Sequence, residues 1–360
     1  MHVILALSSV LAVATASPIA IISDLFKRKT SDFDPLMVWP GNLTQMSNWS
    51  NWTNPSNWHN ASGVNSSGNS SYSGHPSAGW PSPKLQVFVT GGEYQMSNWT
   101  MSSDVQVTTL FNQSSLNATY LYSVASSVAS SLESDEYTGV VVLGSEQSLE
   151  SLGFFLSVVT DSPKSLVVTS ELEDGLSVAW SDNSWWRGVL VVDGCSIYSG
   201  SLYNSGNPSA GNIGSVYAGE PWFWFTPAWP TFLSPESTLR QEYYNFTEIA
   251  TANTTYSNSV TTIPIVYDGY YDPSLINSVS SSVKGLVVVS SGNSTSSELK
   301  SSTVPVVFAS DGYEPVFPED VPQGAIAGGT LSPVQAQLLL SIAVVNNATD
   351  PSSLQGLFLP

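Results

Sequence analysis

Beyond Lys84 the chain is a succession of short, unbroken apolar runs: "LQVFVT", "VQVTTLF", "GVVVLG", "SLVVTS", "GVLVVDG", "IPIVYDG", "GLVVVS" and "VPVVFAS". Val-rich runs bounded by Gly or Ser predict strands buried on both faces. Between them apolar residues recur at three and four, in "LNATYLYSVASSVASSLE", "SLESLGFFLSVV", "DPSLINSVSSSV" and "LSPVQAQLLLSIAVV". That spacing predicts helices, and Pro near the start of the last two suits a first helical turn. Alternating strands and helices make a parallel α/β sheet covered on both faces.

The alternation lapses between about Asn204 and Asn258, where "PWFWFTPAWPTF" stands. This aromatic-Pro cluster reads as a packed loop or interdomain wedge, with a sugar platform as the alternative. The body therefore divides near residue 258 into a larger unit, 84–258, and a smaller one, 259–360. The preceding residues 29–83 have neither period. "QMSNWSNWTNPSNWHNASGVNSSGNSSYSGHPSAGWPSP" repeats Asn, Ser and Trp between Gly and Pro. It lacks the apolar area that would offset ordering entropy, and reads as a low-complexity linker. Its tryptophans offer stacking faces for glycan or wall polymer; the plainer reading is a solvated stalk.

The first residues change the compartment. An apolar run from Val3 to Val13 ends in Ala14-Thr15-Ala16, the pattern of a signal peptide over 1–16. The run is too short to span a bilayer, and no membrane anchor is expected. Lys27-Arg28 either ends a propeptide over 17–28 or forms a solvated turn. Thirteen asparagines stand in N-x-S/T contexts: Asn42, Asn48, Asn51, Asn60, Asn65, Asn69, Asn98, Asn112, Asn117, Asn245, Asn253, Asn293 and Asn347. Behind a signal peptide they point to a secreted glycoprotein, extracellular or in a cell wall. Cys195 is the single cysteine, so no internal disulfide forms. In the apolar "VVDGCSIY" it reads as a small buried residue, with a reactive thiol as the alternative.

Charge and residue inventory then exclude chemistry. The formal charge is −19. Asp24, Asp32 and Asp34 cancel Lys27, Arg28 and Lys29, so the excess lies in the body, which repels phosphate backbones and argues against nucleic acid. The histidines are His2, His59 and His75. The body thus has none for a Ser-His-Asp triad, a zinc site or a histidine base. No nucleotide-cradling glycine motif occurs, and no cofactor is expected. Carboxylate and hydroxyl chemistry remain. Ligands of open α/β sheets bind beyond the carboxyl ends of strands, which selects Thr90-Gly91-Gly92-Glu93 and Gly144-Ser145-Glu146-Gln147-Ser148.

Around these turns the chain resembles the bacterial-type L-asparaginase/glutaminase family. "VFVTGGEYQ" is similar to that family's strand and T-G-G-T turn, and "GVVVLGSEQSLESLGFFLSVV" to its G-T-D-T turn and E-E-x-A-x-F-L helix. "SPKSLVVTS", "WRGVLVVDGCSIYSG", "IPIVYDGYYDPSLINSVSSSVKGLVVVSSGNS" and "AIAGGTLSPVQAQLLLSIAV" follow in the family's order. The resemblance covers nearly all of 84–360. It implies a larger N-terminal parallel-sheet domain and a smaller C-terminal α/β domain, a small amide or amino-acid ligand, and a homo-oligomer with sites between subunits.

The resemblance also implies roles. Thr90, Glu93, Ser145 and Glu146 occupy the catalytic positions. Gly91, Gly92 and Gly144 are candidate substrate-binding residues, as is Ser114 in "FNQSSLN", at the place of the family's G-S-Q-D turn. The departures are specific. Glu93 stands where the family has its nucleophilic threonine. The G-T-D-T turn gains a residue. The lysine that follows the R-G-V-L-V-V segment is absent, with Ser205 nearest its place. The lid segment after Glu93 is shortened, and Gln335 and Gln337 replace Lys and Arg of the last helix. If Glu93 and Glu146 share a pocket, like-charge repulsion raises one pKa, and the pair can serve as acid and base or bind an amine. Without the lysine no cation activates a hydroxyl. The expectation is a secreted asparaginase-like glycoprotein with lost or altered amidohydrolase activity. The alternative is an active amidohydrolase that releases ammonia through Thr90 or Ser145.

Overall fold

The computed structural model describes residues 84–91, 103–160, 162–207, 209–225, 263–267, 283–289, 304–312, 314–345 and 348–358. All belong to one compact unit, Pro76–Pro360. The leader and linker expected over 1–83, Gly92, Glu93, the boundary expected near 258 and nearly all of the helix expected from "DPSLINSVSSSV" lie outside the described residues.

The architecture is α/β, with a larger sheet followed by a smaller one. The larger sheet has the order β2-β1-β3-β4-β5-β6-β7-β8. Its strands are β1 (Lys84–Val89), β2 (Val105–Thr109), β3 (Tyr137–Leu143), β4 (Ser165–Thr169), β5 (Val189–Asp193), β6 (Ser196–Ser199), β7 (Asn212–Tyr217) and β8 (Glu220–Phe223). The first five are parallel, and the last three run antiparallel from β5 outward. The fully parallel sheet expected from the apolar runs is therefore corrected at this edge. β6 follows β5 through the two-residue turn Gly194-Cys195, which leaves no room for a crossover helix. Cys195 is exposed in that turn, not buried.

Helices α1 (Ala118–Glu133) and α2 (Leu149–Val159) cover one face of this sheet, and α3 (Leu172–Trp180) covers the other. Strand alternation serves both layers. Phe88, Val140, Val142, Leu166 and Val168 pack with α1 and α2, whereas Leu85, Val87, Val141, Leu143 and Val167 pack with α3. The edge strand β2 is only half-buried, so its run does not have the two-sided burial expected of it.

The smaller sheet is parallel, in the order β12-β11-β10-β9. Its strands are β9 (Ile265–Tyr267), β10 (Leu286–Val289), β11 (Val306–Ala309) and β12 (Ile326–Ala327), and α5 (Pro351–Phe358) packs beside β12. Helix α4 (Pro333–Val345) is buried from Leu338 to Val344 without a break. It lies against α2 on one side and β9, β10 and β11 on the other, which is why its sequence is apolar all round. One hydrophobic core runs from the first sheet through α2 and α4 to Val287, Val307 and Ile326.

The aromatic cluster is corrected too. Residues 220–223 form the outermost strand, and Trp222, Trp224 and Phe225 are 60%, 57% and 65% exposed. They are not a buried wedge; the residues from 226 on lie outside the described set. Trp224 Nε1 donates to Asn212 Oδ1 at 2.9 Å. The one inward member, Phe223, lies under the Arg187 guanidinium at 3.9 Å.

A polar knot crosses the core beside α4. Glu150 on α2 is buried and accepts from Ser205 N at 3.1 Å, from Ser205 Oγ at 2.5 Å and from Ser332 Oγ. Ser332 caps α4: its Oγ accepts from Gln335 N at 3.1 Å, and Gln335 Oε1 accepts from Ser332 N at 3.1 Å. This is a reciprocal capping box. Gln335 Nε2 reaches on to the Tyr203 carbonyl at 2.8 Å, and Tyr203 Oη donates to Asp193 at 2.9 Å.

Two outcomes follow from this knot. Glu150→Ala should lower the free energy of unfolding by roughly 1–3 kcal/mol for each donor left without an acceptor, and Glu150→Gln by less, because its carbonyl still accepts. Urea midpoints of the two variants, read against wild type, check this. Burial, and then the hydrogen bond to Asp193, push the Tyr203 hydroxyl above its usual value of 10.0. The unfolded chain thus loses this proton first, and stability should fall as pH rises above 10. Tyr203→Phe should flatten that alkaline loss in a pH series of thermal melts.

Candidate functional site

The carboxyl ends of β1 and β3 lie side by side, with Val89 paired to Leu143, and bring the two turns together. Thr90 is wholly buried. Its N–H donates to the Leu143 carbonyl at 2.8 Å, and its Oγ1 donates to the same carbonyl at 3.1 Å. Gly91 must be glycine: a Cβ there would lie 1.9 Å from the carbonyl oxygen of Gln113. That close approach lets the loop after β2 fold over the strand end. Leu110 N and Phe111 N donate to the Val89 carbonyl at 2.8 and 3.2 Å, and Gln113 N donates to the Thr90 carbonyl at 3.1 Å.

The second turn is equally tight. A Cβ on Gly144 would lie 2.7 Å from Ser148 Oγ and 2.8 Å from Leu152 Cδ1, so with any other residue those two side chains would have to shift. Ser145 begins a short 3₁₀ turn, Glu146–Ser148, that leads into α2. Its Oγ donates to the Ser114 carbonyl and lies 3.3 Å from Ser148 Oγ, whose own proton goes to the Ser145 carbonyl at 2.9 Å.

Of the residues singled out from the sequence, Thr90, Gly91, Ser114, Gly144 and Ser145 thus form one cluster. Glu146 is exposed at its rim. Gly92 and Glu93 lie outside the described residues. Ser114 contributes its backbone carbonyl; its side chain is on an exposed residue. Ser205, nearest the position of the missing lysine, is bound to Glu150 one turn beyond the cluster.

The charge distribution runs opposite to the hydroxyls. The described basic residues are Lys84, Lys164, Arg187 and Lys284. Each stands at or just before the amino end of a parallel strand, whereas Thr90 and Ser145 follow the carboxyl ends. Lys84 Nζ pairs with Glu136 at 2.9 Å. Lys164 Nζ donates to the Ser134 carbonyl at 2.7 Å, and desolvation lowers its pKa. Arg187 donates to the Asn183 and Phe225 carbonyls at 2.5 and 2.9 Å, and burial lowers its pKa. Among the described residues no ammonium or guanidinium bonds either hydroxyl. Each hydroxyl instead donates to a main-chain carbonyl, Thr90 to Leu143 and Ser145 to Ser114.

A separate cleft of about 250 Å³ lies between the 201–211 loop and the turns after β11 and β12. Asn204, Asn207, Ser310, Glu314, Thr330 and Gln335 line it, and none of the sequence-selected site residues does. The residue that sequence reasoning passed over is Glu150. Its signal was present in "SLESLGFFLSVV": a lone acid three and four positions before Gly153 and Phe154, on the face that packs inward.

No family model matches the chain. It is 42% identical over 290 residues to Protein YGP1 of Saccharomyces cerevisiae, across 77% of this chain and 80% of that one. It is 38% identical over 293 residues to the sporulation-specific wall maturation protein of the same yeast, across 76% and 88%. A more distant likeness, 26% over 261 residues, links it to L-asparaginase 2-3 of that yeast, across 64% of this chain and 70% of the enzyme. With these identities over most of both relatives, and with the asparaginase-like fold and turns described above, the chain belongs to the asparaginase-like family that includes Protein YGP1 and the sporulation-specific wall maturation protein.

Proposed function

We propose that this chain is a secreted, wall-associated glycoprotein that keeps the asparaginase-like fold without hydrolysing amides. One observation carries the reading: Thr90 and Ser145 both donate to main-chain carbonyls, while every described cation stands at the opposite edge of its sheet. Cleaving an amide requires a hydroxyl freed of its proton and a charge to hold it ready. Glu93, at the nucleophile position, would have to form an anhydride to take that part. The thirteen sequons and the leader fit the secretory route, and one relative is named for wall maturation. The cluster then serves as a binding pocket, with a small amide or amino acid as the ligand class that the resemblance implies.

The protein secreted from its own leader should release no ammonia from L-asparagine or L-glutamine above a buffer blank. L-aspartate should nonetheless raise its melting temperature, as a ligand that binds only the folded state does. Turnover that disappears in Ser145→Ala or Thr90→Ala would establish the hydrolase instead. Docking of Arg240 or Lys300 against either hydroxyl in a crystal structure would do the same.

A further inference from the structure

Two of the thirteen sequon asparagines fall among the described residues, and both lie in the loop that closes the cluster. Asn112 is flanked by Phe111 and Gln113, whose backbones bond Val89 and Thr90. Its sequon serine is Ser114, the residue whose carbonyl receives Ser145. Asn117 ends the same loop and caps α1, its Oδ1 accepting from Tyr120 N at 3.0 Å. Asn112, Asn117, Ser114 and Thr119 are all exposed.

We propose that the 112–117 loop is a glycan-bearing rim, in which N-glycans on Asn112 and Asn117 stand over the carboxyl edge of β1 and β3. They screen the Thr90–Ser145 cluster from macromolecular partners. The inference rests on the secretory reading above.

The chemistry is compatible with the structure atom by atom. Transfer joins Asn Nδ2 to C1 of a sugar carried on a lipid diphosphate. The C1–O bond to phosphate breaks, the lipid diphosphate leaves with the electron pair, and Nδ2 gives up one proton. Oδ1 remains an amide acceptor, so glycosylated Asn117 still caps α1. Among the described residues the loop is held by the backbone atoms of Phe111 and Gln113 on either side of Asn112. A bulky polar glycan on these two exposed residues occupies the solvent directly outside the strand ends.

The sequons also provide matched variants. Ser114→Ala removes the Asn112 sequon but keeps the carbonyl that Ser145 uses. Thr119→Ala removes the Asn117 sequon but keeps the helix cap. Asn112→Gln is the second variant, should Ser114→Ala disturb the loop.

The test is glycopeptide mapping of the secreted full chain after enzymatic removal of N-glycans in heavy-oxygen water, which marks each occupied asparagine. It is joined to limited chymotrypsin digestion of the native protein. Both Asn112 and Asn117 should carry the mark. Cleavage after Phe111 should be several-fold faster in the Ser114→Ala/Thr119→Ala double variant than in wild type. Glycans at other sequons with Asn112 unmarked would overturn the inference and leave the secretory reading standing. Occupied sites with unchanged cleavage would also overturn it. A secreted chain with no glycan anywhere would overturn both.

Discussion

Glu150 lies among Leu149, Leu152 and Phe154, all fully buried, and no described basic side chain bonds it. A buried carboxyl group is costly unless its oxygens find donors, and here the donors come from two places far apart in the chain. Ser205 arrives from the turn after the β5–β6 hairpin, and Ser332 from the start of α4. The knot therefore exists only when α2, that turn and the second sheet's helix are all in place. It sets the position of α2, and with it the Gly144–Ser148 turn that forms half of the cluster. Gln335, where the related motif has lysine, fits the same arrangement: it completes a cap and bonds Tyr203, with no charge to match.

The cluster follows from backbone constraints as much as from its side chains. Gly91 permits a close approach to the Gln113 carbonyl that a Cβ would forbid, and Gly144 leaves room for the Ser148 and Leu152 side chains where they stand. These arrangements bring the hydroxyls of Thr90 and Ser145 within reach of main-chain carbonyls. In these positions the hydroxyls tie neighbouring segments together, Thr90 to the end of β3 and Ser145 to the loop after β2. Among the described residues the lysines and the arginine stand at the amino edges of the strands, away from both hydroxyls.

The strands and long helices were legible because burial on both faces writes itself as unbroken valine runs, and one-sided or enclosed helices write apolar residues at three and four. The glycine turns were legible for the same local reason, as two small residues directly after a strand. The β6–β8 extension was not. Its residues alternate weakly, and the exposed Trp222 and Trp224 look in sequence like material for a core. Cys195 misled in the same way, because an apolar neighbourhood in sequence becomes a hairpin turn in space. α3 was missed because "LEDGLSVAW" carries Glu173, Asp174 and Gly175 in its first half. Gly175 is there because a Cβ would meet Thr169 Cγ2 at 2.4 Å.

The amino-acid order alone determined the sequons, the absence of histidine from the body, the run of strands and helices, and the two glycine turns at the strand ends. All of these are read from neighbours in sequence or from counts. Only the folded chain decided where each hydroxyl donates, that the described cations gather at the amino edges, that Glu150 joins α2 to α4, and that Asn112 and Asn117 rim the cluster. Those facts depend on contacts between residues tens to nearly two hundred positions apart. Hydrogen-bond direction and burial at such contacts are set by packing in three dimensions, which no local pattern encodes.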